Sequence, residues 1–485
     1  MVGGTDDQGA PVPTERPLPD DSDAVLDLAA LRAREYVAAL DTDRVRPAGV
    51  GNGATSLGGP LPEVGEGAVK AVARLAETAT AAAVRASGPR FFHFVTGGTT
   101  PAALGADWLA SALDQNAAAW AGSPLGTELE TVAVSWLADL FGLTDQWDGL
   151  LTTGATSANL TALAAARRWW GQQHGVDVDL DGLTGLSQVP VFASGHVHSS
   201  AVKALGVLGI GRSTVRRLGE DDSGGLDLAE LRDRLAALDG APAIVLATAG
   251  EVNTGAFDPV ARMADLTERH NAWLHVDGAF GLFAAVSPRT AHLVDGVDRA
   301  DSVISDGHKW LNVPYDCGFA FVRHPGLLGS VFTNTGPYLP GAADPHPNFG
   351  NLGPENSRRS RAFAVWATLA AYGRAGYREL VEHHVGLAAR FARRVEREPD
   401  LELLAEAPLN IVCFRHRRPG RTERQLDELN TRLGEAVLAD GRVYFGTTVH
   451  RGRVAFRPAI VNWRTTEADV DLIADVLLEI ADRIE

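Results

Sequence analysis

Apolar residues recur at helical spacing through Ala24–Leu40, "AVLDLAALRAREYVAAL", directly after a "DDSD" cap signal, and predict an amphipathic helix. A second such stretch runs from about Pro62 to Ala86. Neither has enough neighbouring sequence for a core of its own, so each is expected to pack on the main domain or on a partner subunit. From Phe91 to about Thr335 the pattern changes. Helical segments such as "GTELETVAVSWLADLFG" alternate with the short apolar runs "VPVFAS", "PAIVLATAG", "AWLHVDGAFG", "DSVISDG" and "CGFAFVR". Strands interleaved with helices predict an α/β domain with a mostly parallel sheet and functional groups at the strands' carboxyl ends. Gly329–Ser357 is rich in Gly, Pro and Asn and reads as a long functional loop. A long helical region and then strand, helix, strands and helix predict a small α+β domain. The expected organisation is a flexible tail at 1–23, a helical segment at 24–90, a large domain at 91–360 carrying a mobile loop at 329–357, and a small domain at 361–485.

Composition narrows the class. The 485 residues are 45% hydrophobic and 22% charged, as in ordinary globular proteins. A net charge of −17 argues against nucleic-acid and anionic-membrane partners, which need a basic face. Two cysteines, Cys317 and Cys413, make neither a disulfide framework nor a Cys-rich metal site. The acidic, Pro-rich start lacks the basic residues and apolar run of a signal peptide, and no apolar stretch reaches membrane-spanning length, so a cytoplasmic protein is expected.

Lysine is nearly absent. Of 44 Lys plus Arg only Lys70, Lys203 and Lys309 are lysines. The first two fit ordinary helical positions, whereas Lys309 follows an apolar strand and a turn in "SDGHKWLNVPYDCGF". Lysine, unlike arginine, can lose its proton and act as an amine; it can also simply cover a strand end with its alkyl stem. Asp277 ends the run "AWLHVD" and so places a carboxylate at a strand's carboxyl end. Such a group needs a cation or a capping role. In "LLTTGATSANLTALAAAR" a small-residue turn opens a helix, a natural phosphate cradle that lacks the glycine–lysine pair of a P-loop. His196 and His198 follow a strand in "FASGHVHSSAV", with no third metal ligand apparent.

The order of these features, with the blocks "SPLGTELETVAVSWL", "TTGATSANLTALAAAR", "HVHSSAVKALGVLG", "ATAGEVNTGAFDP", "WLHVDGAFG" and "DGHKWLNVPYDCG", resembles the group II pyridoxal-phosphate-dependent amino-acid decarboxylases. The best-known members act on aromatic L-amino acids and glutamate. The resemblance runs from about "RFFHFVTGG" to the C-terminus. It implies the fold-type I pyridoxal-phosphate-dependent transferase fold with a seven-stranded sheet, pyridoxal 5'-phosphate as cofactor, and a homodimer with shared active sites. It also implies that Lys309 holds the cofactor covalently, that Asp277 pairs with the pyridinium nitrogen, and that Ala279 lies against the ring. His198 would stack on the opposite face; Ala155 and Thr156, assisted by His308, would bind the phosphate. Tyr338, in "TGPYLPG", falls where the family carries a loop tyrosine held to protonate the substrate carbanion, and Phe94 falls in a substrate-contacting segment.

Three departures stand out. Ser157 replaces a more usual glutamate, and Asp306 replaces an asparagine near the phosphate and is given no phosphate role. Val95, Thr96 and Gly97 beside Phe94 leave the substrate unnamed. The implied reaction is decarboxylation of an L-amino acid to an amine. Alternatives are oxidative conversion to an aldehyde and aldolase or lyase cleavage of a β-hydroxy amino acid. Less favoured are transamination, with Arg457 gripping a carboxylate, and a catalytically dead scaffold.

Overall fold

The computed structural model describes residues 18–48, 50–51, 53–143, 146–221, 224–334, 336 and 345–484. The chain divides into two compact units, one ending at Val84 and the other beginning at Arg85. In the first, α1 (Ser22–Ala39) and α2 (Gly53–Leu57) pack on α3 (Ala68–Ala82). The helix expected from Pro62 starts only at Ala68, because Gly67 adopts φ +86° and cannot continue a helix backwards. Neither α1 nor α3 has a fully buried residue.

The second unit opens with α4 (Pro101–Leu113) and α5 (Pro124–Leu140). Each begins with a hydroxyl cap followed by proline: Thr100 Oγ1 accepts from Ala103 N and Ser123 Oγ from Gly126 N. The α/β text then becomes β1 (Asp148–Thr152), α6 (Ala155–Gln173), β2 (Val191–Ser194), α7 (Ser199–Val207) and β3 (Val215–Leu218). It continues through α8 (Leu228–Ala236), β4 (Ala243–Thr248), α9 (Val260–Arg269), β5 (Ala272–Asp277), β6 (Ser302–Asp306) and β7 (Gly318–Val322).

These strands form one seven-stranded sheet in the order β1-β7-β6-β5-β4-β2-β3. Only β7 runs antiparallel to its neighbours. β4, β5 and β6 are buried at every position, as strands covered on both faces must be. This is the fold-type I architecture, and it brings the carboxyl ends of β1, β2, β4, β5 and β6 to one edge.

After α10 (Leu327–Phe332), which enters the segment read as loop, the long α11 (Ala362–Arg397) is broken at Gly373, with φ +60° and ψ −175°. The remaining elements are β8 (Leu401–Leu403), β9 (Phe414–His416), α12 (Glu423–Asp440), β10 (Thr447–His450), β11 (Arg453–Phe456) and α13 (Glu467–Ile484). The short β8 had no strand signal of its own. These strands form an antiparallel sheet, β10-β11-β9-β8, packed with α11, α12 and α13 around Phe391, Phe414, Phe445 and Phe456.

Candidate active site

β6 is entirely buried and ends at Asp306, after which the chain makes a π-helical turn over Gly307–Leu311. Asn312 closes the turn in the left-handed region, at φ +56°. Its side-chain amide donates to Trp310 O (2.8 Å) and Val461 O (2.9 Å), while the Trp310 indole donates to His384 Nδ1 (2.9 Å). From the other side Gly97 N donates to His308 O at 3.2 Å, and a Cβ on Gly97 would stand 1.6 Å from Lys309 O, so only glycine fits. Held in this way, Lys309 extends its Nζ to 3.3 Å from Asp306 Oδ2 and 5.7 Å from the centre of the Phe280 ring.

The turn between β1 and α6 lies beside the lysine. Gly154 adopts φ +142°, and a Cβ on Gly318 of β7 would come within 2.6 Å of it. Ala155 N donates to Asp306 Oδ1 at 2.5 Å. Burial opposes ionisation of Asp306, but Lys309, His308 and this N–H outweigh it and hold the carboxyl below its ordinary range. Asp306, given no phosphate role from the sequence, thus occupies one amide of the turn. The N–H groups of Thr156 and Ser157, in the same first helical turn, remain for an anion. His308 stacks on Tyr315 at 4.2 Å, and the Tyr315 hydroxyl is 3.2 Å from Thr96 Oγ1.

Asp277 ends β5 with its carboxylate buried. Oδ1 accepts from Ala279 N (3.2 Å) and Oδ2 from Asn159 Nδ2 (3.0 Å), and among the described residues no cationic side chain lies within salt-bridge distance of it. His198 precedes α7, and its Nδ1 accepts from Ser200 N at 3.3 Å. Burial is the main cause depressing its proton affinity, reinforced by Lys309 and Arg457. His198, Asp277, Ala279, Phe280 and Lys309 line one cleft, which Thr248 and Glu251 share. His196, also on its wall, places Nε2 3.0 Å from Glu220 Oε1. No group of three or more metal-ligating side chains is present among the described residues.

Phe94 and Val95 both adopt left-handed backbone, at φ +56° and +59°. Strain of this kind costs on the order of 1–3 kcal/mol per residue and concentrates at functional sites. It presents the exposed Phe94 ring at 3.7 Å from the His93 ring. His93 is driven down to about 4 by burial and by Arg457, and so is neutral. Arg457 itself is largely desolvated; it donates to Val252 O at 3.1 Å and has no carboxylate within salt-bridge distance among the described residues. Tyr338 lies outside the described residues. Sequence reasoning missed Asn159, His275 and Ser302; the one local signal was the polar side chain at 275 on the same strand face as Asp277.

Known proteins share this chain's sequence pattern and fold. Residues 67–417 match the pyridoxal-dependent decarboxylase conserved domain. The chain belongs to this family. This decarboxylase is 30% identical over 389 residues to the aromatic-L-amino-acid decarboxylase of Bacillus atrophaeus, covering 79% of each chain. It is 33% identical over 396 residues to tryptophan decarboxylase 1 of Oryza sativa subsp. japonica, covering 77% of this chain and 76% of that one. Its fold superimposes on Oryza sativa TDC with PLP and tryptamine at a TM-score of 0.90 and 28% identity, covering 97% and 100% of the two chains. Rhodiola rosea 4-hydroxyphenylacetaldehyde synthase gives a TM-score of 0.83 at 25% identity, covering 95% and 98%. The cofactor of the decarboxylase is pyridoxal 5'-phosphate. The residues present fit it: a single lysine amine, a buried carboxylate lacking a cation, free first-turn amides, and a small side chain at Ala279.

Proposed function

We propose that this enzyme removes the α-carboxyl group of an L-amino acid as CO2 and returns a proton to Cα, releasing the amine. The observation that carries the proposal is the convergence of Lys309, Asp277 and His198 on one cleft at the sheet's carboxyl edge. Lys309 supplies the anchoring amine, with Asp306 as its counter-charge. Asp277 would meet the pyridinium nitrogen, and Ala279 would leave room for the ring beside it. Thr156, Ala155 and His308 frame the phosphate end, although the Ala155 N–H itself is already engaged by Asp306. When bound, pyridoxal 5'-phosphate supplies the electron sink that accepts the pair left at Cα. His198 covers the opposite face of the cleft and presents a neutral imidazole. Arg457 provides the uncommitted positive charge that orients the substrate carboxylate, and Phe94 contacts the side chain. Tyr338 returns the proton to Cα.

The test is a mass balance. Purified enzyme with pyridoxal 5'-phosphate is incubated with a panel of aromatic, acidic and basic L-amino acids, and CO2, amine, aldehyde and peroxide are measured. Equal CO2 and amine from one substrate supports the proposal and identifies that substrate. CO2 with aldehyde and peroxide moves the enzyme to the oxidative branch. Tyr338→Phe, on the substrate so found, is expected to cut amine formation at least about tenfold, as loss of a general acid does; an undiminished amine yield removes Tyr338 from the mechanism.

The proposed assembly is a homodimer. Along α4, α5 and α11, Trp108, Leu109, Leu113, Trp136 and Trp366 are exposed, an apolar surface that a second copy would cover. Light scattering is expected to give twice the chain mass of 51.3 kDa; a monomer at micromolar concentration overturns this assignment. No described helix is long and apolar enough to cross a membrane.

A further inference from the structure

One buried asparagine is linked to both groups proposed to flank the cofactor, to Asp277 directly and to His198 through Ser200. Asn159, fully buried on α6, donates through Nδ2 to Asp277 Oδ2 (3.0 Å) and to Ser200 Oγ (3.1 Å). The Asp277 oxygen is the acceptor in this contact, so the amide nitrogen is the end that faces Asp277. Asn159 Oδ1 must then accept from His275 Nε2, 2.7 Å away. With its Nε2 protonated, His275 accepts at Nδ1 from the Ser302 hydroxyl (2.8 Å), which in turn accepts from Trp273 Nε1 (2.9 Å). His275 is fully buried, and burial drives it down to about 4, so it stays neutral and the direction of the chain is maintained.

The other branch is equally directed. Ser200 Oγ accepts from Asn159, so its proton goes to His198 Nδ1 at 2.7 Å, where the Ser200 N–H also points. The single proton of His198 is left on Nε2. From these contacts we infer that Asn159 is a positioning residue that orients the Asp277 carboxylate and fixes the Nε2–H tautomer of His198 together, so that one amide sets the hydrogen bonding of both groups in the cofactor cleft. His275, Ser302 and Trp273 hold that amide in its working orientation. A corollary is that His198 offers a hydrogen-bond donor into the cleft and not a base. The inference rests on the proposed pairing of Asp277 with the cofactor nitrogen.

Asn159→Asp keeps the acceptor for His275 but sets an oxygen against Asp277. Asn159→Thr retains a single hydroxyl able to accept from His275 and donate to Asp277. For the holoenzymes, cofactor dissociation constants are measured by fluorescence and the visible absorbance is titrated with pH. Asn159→Asp is expected to weaken cofactor binding at least tenfold, to move the absorbance midpoint by a full pH unit or more, and to lower kcat more than it raises KM. Asn159→Thr is expected to recover part of each, and it keeps the test open if the aspartate variant does not fold. Asp277→Asn is the control for the underlying pairing. If Asp277→Asn moves the midpoint and neither Asn159 variant does, the positioning role falls while the pairing stands. If none of the three moves it, the pairing itself is wrong.

Discussion

Lys309→Arg is expected to abolish decarboxylation, by roughly 10³-fold or more, and to remove the visible absorbance of covalently bound cofactor. Arginine is the informative replacement. It preserves a cation opposite Asp306, whose carboxylate sits 3.3 Å from Lys309 Nζ, and so leaves the local charge balance standing. It cannot deprotonate, and so cannot serve as the amine. Lys309→Ala removes both properties and leaves the buried Asp306, among the described residues, with His308 and the Ala155 N–H, so its loss of function would mix chemistry with a disrupted turn. If the arginine variant retains the visible absorbance or a tenth of the parent's turnover, the anchoring amine is elsewhere. Of the two lysines in the unit that forms the cleft, Lys203 on α7 does not line it and Lys309 does.

The residues that could be read in advance are those whose signal is local. Asp277 ends an apolar strand and Lys309 lies in the turn directly after one, and in an α/β sheet those positions are enough to put both on one edge. His198 and the Gly154 turn follow strands in the same way. Asn159 is different: its neighbours in sequence are an ordinary helix, and its meaning comes from His275 and Asp277, more than a hundred residues away. His275 faces Ser302 because β5 and β6 pair in that register, a fact that no pattern within either strand contains. What Asp306 does instead of binding phosphate was not legible for a related reason. Comparison with an asparagine at that position suggests loss of an anion contact, whereas the folded chain turns the carboxylate onto Ala155 N and Lys309. The helix expected from Pro62 failed at Gly67, where backbone freedom overrode the apolar spacing.

Arg358→Leu is expected to lower the unfolding free energy by about 3–5 kcal/mol, the usual cost of stranding one partner of a buried ion pair. Arg358 and Glu130 stand 228 residues apart in sequence and are fully buried, joined by two hydrogen bonds of 3.0 and 2.6 Å. The pair does more than neutralise itself. β1 is an edge strand, and Leu151 lies opposite Phe319 on β7, with its backbone groups engaged on the other side. Leu151 N donates to Glu130 Oε1 and Leu151 O accepts from Arg358 Nη2, so the ion pair takes the place of an eighth strand. Arg358 also donates to Ala117 O. Removing the guanidinium leaves a buried carboxylate and two unpaired carbonyls, at the strand that leads directly into the Gly154 turn. Thermal unfolding should therefore fall by roughly 5 °C or more, and cofactor affinity should fall with it. The double variant Glu130→Met with Arg358→Leu removes both charges and should recover part of the loss, because the stranded charge, and not the missing attraction, dominates the single variant. Single variants within 1 kcal/mol of the parent, or a double variant less stable than either, would show that β1 is held by its packing against β7 and α6 and not by this pair.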